Sequence, residues 1–303
     1  MILLWGVEEA PVRLLREALG ARNARVLFLD HARLDRVEVD LEYAPGPSGR
    51  IDVGGAGYPV DQIRAIYVRP HDVRTRAGLG DQNVEDANCR HARTAQEMLW
   101  TFVDLADGLV LNRPSAMLSN GSKPYQSRLI AAHGFDVPDT LITTDPSALR
   151  RFRDEHRDVI YKSMSATRSI VSRVSDAHDA RLEDLHSCPT QFQRHVDGID
   201  YRVHVVGREL FASRVTSDAI DYRYGHSAIE PADLPDDVKT RCLSLSDALG
   251  LPLSGIDLRH STDGRWFCFE VNPAPGYSAY EEVTGQRISA AIARLLDEHD
   301  RTW

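Results

Sequence analysis

The run Leu253-Ser254-Gly255-Ile256-Asp257-Leu258-Arg259, then Asp263-Gly264, then Arg265-Trp266-Phe267-Cys268-Phe269-Glu270-Val271-Asn272-Pro273 reads as a β-hairpin. Asp-Gly between two apolar arms favours a two-residue type I′ turn. A loop of that length sets Asp257 directly opposite Glu270. Side chains i and i+2 share a face of a strand, so Asn272 stands beside Glu270. Three oxygen-bearing groups thus gather on one face, and Pro273 ends the strand just beyond them. Like charges directly opposed destabilise a sheet. A hard divalent cation, held partly by these oxygens and partly by phosphates, would compensate. The plainer alternative is a solvent-facing hairpin with hydrated carboxylates. Against it stands the apolar company of Leu251, Leu253, Ile256, Phe267, Phe269 and Val271, which suits a core strand pair. A longer loop, starting at His260, would shift the register.

Working outward, the basic residues are uneven: of 36, only Lys123, Lys162 and Lys239 are lysines. An ammonium on a flexible stem does work that a planar guanidinium does not. Lys162 ends the apolar strand Val159–Lys162 and precedes Ser163-Met164-Ser165-Ala166-Thr167, small residues whose backbone can approach a phosphate closely. Lys123 stands at a helix start. Each alone is more often simply a solvated lysine. With the hairpin they make a constellation of two cations for phosphates and three oxygens for a metal.

The rest of the chain supplies the frame. Ile2–Trp5, Pro11–Leu19 and Arg25–Leu29 read β-α-β, and Ile63–Val68 and Leu109–Leu111 add strands around a long helix, Asp86–Ala106. Tyr43–Gly57 reads as loop or hairpin. Asn112-Arg113-Pro114 breaks the pattern. A second unit carries helices at Lys123–His133 and from Asp145-Pro146 to about Glu155, with strands at Thr140–Thr143, Val159–Lys162 and Ile170–Val174. A third carries strands Gln191–Val196, Asp200–Val206 and Glu209–Thr216, a helix Pro235–Leu249, the hairpin, and a closing helix Gln286–Leu296. The expected fold class is an α/β entry domain followed by α+β, divided as residues 1–111, 112–190 and 191–303. Arg69 and His71, at the end of an α/β strand, are candidates for the substrate side.

Composition excludes several classes. The 303 residues carry a net charge of −9 with 42% hydrophobic and 27% charged residues, a globular balance without the basic surface that nucleic acid requires. No run of about 18 uncharged apolar residues is present, so no membrane span is expected. The N-terminus lacks a secretory pattern, and the four scattered cysteines form no C-x-x-C pair, so a cytoplasmic location is expected. No G-x-G-x-x-G follows the first strand, and Gly54-Gly55-Ala56-Gly57 opens no helix, which disfavours a dinucleotide oxidoreductase. His195, His204 and His226 show no metal spacing.

Taken together, Lys123, Val159-Ile160-Tyr161-Lys162, Gln191-Phe192-Gln193-Arg194-His195-Val196, Asp200-Tyr201-Arg202-Val203, Asp257 and Phe269-Glu270-Val271-Asn272-Pro273 resemble the ATP-grasp superfamily. Within it, residues 112–298 are most similar to RimK-type glutamate ligases and the related graspetide (microviridin-type) peptide ligases. The resemblance implies an ATP-grasp fold, with nucleotide held between two α+β subdomains. It implies ATP and Mg2+ as cofactors, with Mn2+ as an alternative ion. Lys123, Lys162, Ser163 and Ser165 would hold phosphates. The strand carrying Gln193, Arg194, His195 and Val196 would present backbone to adenine, and Asp200 would lie near the ribose. Asp257, Glu270 and Asn272 would hold the metal. Arg202 and Arg214, which alternate with apolar neighbours, would reach the γ-phosphate or the substrate carboxylate, and Arg223 would face the substrate. The serine-rich loop after Lys162, the base at Arg194 and the missing Arg-Gly-Gly after Arg223 depart from the glutamate ligases, and the last argues against ribosomal-protein glutamylation.

The implied activity is ligation of a carboxylate to an amine or hydroxyl through an acyl phosphate, on an amino acid, a small peptide or a peptide side chain. A macrocyclase acting on a ribosomal precursor peptide and a non-catalytic nucleotide-binding regulator are the alternatives. Neither nucleic acid nor membrane is an expected partner. Homo-oligomerisation stays open.

Overall fold

Strand β1 (Ile2–Gly6) is buried along its whole length, and its side chains serve two cores by turns. Ile2 and Leu4 enter one apolar cluster, and Leu3 and Trp5 the other. Such two-sided burial is the signature of a parallel strand covered on both faces. The computed structural model, which describes residues 1–70, 87–163, 171–187, 190–217 and 227–302, shows that arrangement. Helix α1 (Ala10–Ala21) leads to β2 (Val26–Asp30). A three-stranded antiparallel sheet follows: β3 (Val37–Glu42), β4 (Ser48–Val53) and β5 (Ala56–Pro59). It occupies the stretch expected as loop or hairpin. Gly54 and Gly55, both at positive φ, make the two-residue turn from β4 to β5. Strand β6 (Ala65–Arg69), helix α2 (Ala87–Leu105) and β7 (Leu109–Leu111) complete a parallel sheet of order β2-β1-β6-β7. Arg113 caps the end of α2, donating to the carbonyls of Val103, Asp104, Ala106 and Gly108.

The middle of the chain forms α3 (Pro114–Met117), α4 (Lys123–Ala132), β8 (Thr140–Thr143), α5 (Pro146–His156), β9 (Val159–Ser163), β10 (Ser172–Arg173), a 3₁₀ helix (Asp176–His186) and β11 (Thr190–Arg194). Asp145 caps α5, accepting the Ser147 N–H at 2.8 Å as its sequence suggests. The sheet order is β10-β9-β11-β8. Strand β11 therefore sits inside this sheet, between β9 and β8. The expected division at residue 190/191 assigned it to the following unit; the sheets separate instead between Arg194 and Gly198. The chain crosses between them in the extended segment that spacing alone read as one strand to Val196.

The third sheet is β12 (Gly198–Val206), β13 (Glu209–Ser217), β14 (Ser227–Ala232), β15 (Leu253–Ser261) and β16 (Trp266–Asn272), in antiparallel order β14-β13-β12-β15-β16. One face packs on α6 (Asp236–Ala248) and α4, with Val203, Ile256, Leu258 and Val271 meeting Val238, Leu245 and Ile130. The other face is polar across the middle of β12 and β15. Val206 and Leu253 at one end, and Val215 opposite Asp200 toward the other, join one cluster with Tyr280 of α7 (Ser278–Thr284) and Ile288 and Ile292 of α8 (Ile288–Thr302). The same cluster continues into Ile2, Leu4, Val12 and Leu15, so the last helix returns to the first domain and binds both ends of the chain into one core.

The decisive hairpin departs from expectation at two points that cancel. Ser261 N–H bonds to the Arg265 carbonyl at 2.9 Å, and Gly264 takes a φ of 83°. The loop is thus Thr262-Asp263-Gly264, three residues ending in a left-handed glycine, another common hairpin connection. The arms pair His260 with Trp266 and Leu258 with Cys268. A β-bulge that leaves Phe269 unpaired then restores the expected register, and Asp257 faces Glu270. Ile292→Ala removes a fully buried side chain from the seam between the first and third units; urea denaturation is expected to show a loss of about 2–5 kcal/mol.

Candidate active site

The open part of the five-stranded sheet presents its polar groups in cross-strand rows. Ser213, Arg202, Asp257 and Glu270 stand opposite one another on β13, β12, β15 and β16. The next row is Phe211, His204, Gly255 and Asn272. Arg202 is buried and donates Nη1 to Asp257 Oδ1 at 2.6 Å. Gly255 makes this pose available, since a Cβ there would lie 2.3 Å from Arg202 Nη2 and 2.7 Å from Pro275 Cβ. His204 is fully buried, edge-on to Tyr280 at 5.0 Å. Burial, and then the neighbouring Arg202 charge, push its pKa down to about 3, so it stays neutral and adds no second cation to the row.

The oxygen donors fit a hard divalent ion. Asp257 and Glu270 face each other, and Glu270 makes no side-chain hydrogen bond among the described residues. Asn272 Oδ1 accepts the Ala274 N–H at 2.8 Å, which fixes its amide at the start of the turn. No cluster of three His, Cys, Asp or Glu able to hold a metal occurs among the described residues. This set, two carboxylates and an amide, therefore suits an ion such as magnesium that takes further oxygens from a bound phosphate.

The two lysines singled out in the sequence stand on other elements, β9 and α4. Lys162 on β9 lies opposite Gln191, and its Nζ is 3.4 Å from Gln193 Oε1. Gln193 in turn donates Nε2 to Thr140 Oγ1 at 3.0 Å. Gln191 and Gln193 are each 4% exposed, and Gln191 Oε1 is a buried acceptor without a partner among the described residues. Tyr161 and Phe192, one residue along, point to the opposite face and its apolar cluster. Lys123 opens α4, the helix whose Gln126 binds the Val271 backbone twice, through Nε2 to the carbonyl at 2.8 Å and Oε1 from the N–H at 2.9 Å. That pair docks the lysine's helix directly onto the strand carrying Glu270 and Asn272.

Several expected residues are placed elsewhere. Arg214 is opposite Tyr201, so it lies on the face away from Arg202, exposed and paired across the sheet with Glu230. Apolar alternation alone misassigned it. The two-residue turn at Gly207-Arg208, with Val206 opposite Glu209, carries the signal that would have chosen Ser213. Asp200 shares the site face but is held by Arg259 in a two-pronged pair at 2.7 and 2.8 Å. Arg259 also donates to the Val196 carbonyl, which fixes the crossing between the two sheets. The Arg194 and His195 N–H groups are committed to the carbonyls of Asp139 and Asp158. Arg194 Nε bonds Asp139 at 2.9 Å. The mostly buried His195 ring lies 3.2 Å from Asp158 Oδ2, burial lowering its pKa and Asp158 opposing the shift. Ser163 ends β9, while Ser165, Arg223 and the substrate-side candidate His71 lie outside the described residues. Sequence reading missed the side-chain roles of Gln126, Gln191 and Gln193, because a buried glutamine in an apolar strand or helix carries no pattern of its own.

The model of the RimK-like ATP-grasp domain matches residues 122–296. Human N-acetylaspartylglutamate synthase A is 27% identical over 282 residues, covering 78% of this chain and 72% of that protein. Zebrafish (Danio rerio) beta-citrylglutamate synthase B is 26% identical over 204 residues, 62% of this chain and 50% of that protein. The chain thus spans about half the length of several relatives it matches. Among solved structures, the ATP-grasp ligase PsnB complexed with minimal precursor, Mg and ADP superposes with a TM-score of 0.82 at 26% identity, covering 99% of this chain and 97% of that one. The macrocyclase MdnC of Microcystis aeruginosa MRC, bound with precursor peptide MdnA, gives 0.81 at 24%, covering 98% and 99%. No helix among the described residues is long and apolar enough to cross a membrane. Gly255→Ala is expected to drive Arg202 off Asp257 and to weaken Mg2+-dependent ADP binding in calorimetry, with the far-ultraviolet spectrum unchanged.

Proposed function

Because the chain belongs to the RimK-like ATP-grasp family, we propose that it is an ATP-dependent ligase joining a carboxylate to an amine or hydroxyl, with ADP and phosphate as by-products. The observation that carries this reading is the row Arg202–Asp257–Glu270 with Asn272 beside it, a cation and three oxygen donors on one open sheet face. Phosphoryl transfer needs positioning and charge neutralisation more than covalent participation by the protein. Lys162 and Lys123 bind the phosphates of the nucleotide. Asp257, Glu270 and Asn272 would hold the metal. A magnesium ion bound there supplies charge neutralisation at phosphate oxygens.

In the first step a substrate carboxylate oxygen attacks the γ-phosphorus, and the bond to ADP breaks. Arg202 would stabilise the charge spread over the transferring group. In the second, the amine or hydroxyl attacks the acyl carbon and phosphate departs with the bonding pair. The bond to Asp257 holds the buried Arg202 guanidinium in place, and the neutral His204 adds no competing cation beside it.

A peptide substrate, supplying both carboxylate and nucleophile from its own side chains, is the second reading. It is favoured by the superposition on PsnB and MdnC, which runs through the first domain as well as the family-matched part. A screen of amino acids, dipeptides and short Thr/Glu-rich peptides for ADP release, followed by mass spectrometry, separates the readings. Loss of one water per link within a single peptide marks ring closure, whereas the mass of two reactants less one water marks intermolecular ligation. A nucleotide-binding regulator would release no ADP with any of them.

Glu270→Gln is expected to abolish turnover with the fold intact, read as ADP and phosphate release, and AMP among the products would exclude the acyl phosphate route. Lys162→Ala is expected to raise the KM for ATP at least tenfold, about 1.4 kcal/mol of lost binding. Lys239→Ala, which removes only an α6 surface contact to Asp233 and Asp236, should leave it unchanged.

A further inference from the structure

The paired part of the hairpin ends at Gly255 opposite Asn272, immediately at the proposed metal-holding residues. By that register the next hydrogen-bonded rung would join Leu253 to Ala274, but the Ala274 N–H is taken by Asn272 Oδ1. A side chain from a distant part of the sequence takes that rung's place. Asn112, which follows β7 and is 1% exposed, donates Nδ2 to the Leu253 carbonyl at 2.5 Å and to the Pro273 carbonyl at 2.6 Å. Its Oδ1 accepts the Leu253 N–H at 3.2 Å. One carboxamide thus spends both donor hydrogens and its acceptor on the two open ends of the strand pair. Arg69, the last residue of β6, holds the same turn further along, donating Nη1 to the carbonyls of Pro275 at 2.9 Å and Ala274 at 3.3 Å.

The need for such a fastening follows from the local design. Among the described strands β16 is an edge strand paired with β15, and its outer side is met by a lone bridge from Asp136 to Phe267, at the end away from Asn272. The bulge at Phe269 interrupts that ladder one residue before Glu270. Asp257 and Glu270, directly opposed, repel each other across the weakened stretch. On one side Gln126 steadies Val271; beyond Asn272 the turn is held by Asn112, Arg69 and the Asn272–Ala274 bond, and further along by Tyr277, which donates to the Pro11 carbonyl.

We propose that Asn112 is a positioning residue for the divalent metal: by setting the gap between the open ends of β15 and β16, it sets the separation of Asp257, Glu270 and Asn272. The inference rests on the reading of those three as the groups that hold the metal. Magnesium demands near-ideal octahedral geometry, whereas calcium accepts a looser oxygen cage. Loosening the clamp therefore penalises magnesium more than calcium.

The test is calorimetric and needs no turnover: ADP is titrated into the full chain at a series of Mg2+ or Ca2+ concentrations. Asn112→Ser is expected to raise the Mg2+ concentration giving half-maximal enhancement of ADP binding by about 10-fold or more, as loss of groups that orient metal ligands does. The Ca2+ requirement should move less, and metal-free ADP affinity should stay within about twofold, since the lysines that carry it are untouched. Ser246→Ala, which removes a buried hydroxyl bonded to Leu251 and Ser254, is a stability control expected to leave the Mg2+ requirement alone. Should Asn112→Ser fail to fold, Arg69→Met loosens the same turn and carries the same expectation. An unchanged Mg2+ requirement in a folded variant, an equal shift for Ca2+, or the same shift in Ser246→Ala overturns the positioning role. Glu270→Gln in the same assay checks the metal assignment separately: if metal still enhances ADP binding there, the assignment itself is what fails, and the positioning role goes with it.

Discussion

Two carboxylates fixed face to face on adjacent strands are a standing electrostatic cost, and much of this molecule is arranged around that pair. Asp257 is answered by Arg202 from the next strand, and the guanidinium fits only because Gly255 has no side chain. Glu270 is left without such an answer among the described residues. Unpaired charge that persists at a fixed position is a hallmark of a site whose counter-charge arrives with a ligand. The apolar face of the same strands, packed on α4 and α6, provides the burial that holds the two acids in register against their repulsion.

That arrangement also explains why distant segments converge on one short turn. Val271, Pro273, Ala274 and Pro275 are gripped by Gln126, Asn112 and Arg69, which belong to α4, the junction after β7, and the end of β6. The third unit's site is thereby tied to the first unit, and the returning helix α8 makes the same connection through apolar contacts. The first domain is part of the scaffold of the candidate site, and the fold it shares with structural neighbours extends along nearly the whole chain.

Much of this was legible in the sequence, for identifiable reasons. Parallel strands buried on both faces, capped helices and apolar helix stripes announce themselves through periodicity, and α5 began at its Asp145 cap as expected. The pairing of Asp257 with Glu270 was reached by an argument whose steps were wrong in a compensating way, because a three-residue loop and a bulge each displace the register by one residue in opposite senses. Arg214 was misplaced because alternation shows that a strand has two faces without saying which face a neighbouring strand shares. Strand β11 joined the earlier sheet because partner choice is a tertiary matter invisible to local pattern. Asn112 looked like punctuation between domains, when its buried amide stands in for a missing ladder rung. Buried polar residues of this kind are specified by what surrounds them in space, and spacing along the chain does not encode it.

The paired irregularities in the hairpin carry a corollary for how such a protein can change. Length variation at the tip near Thr262 and the extra residue at Phe269 are coupled: altering one alone would rotate Glu270 and Asn272 to the greasy side of the ribbon and turn Val271 outward. Natural drift, or an engineer grafting a new tip, must therefore treat these two places as a single unit, although six residues of ordinary-looking strand and turn separate them in the text of the sequence.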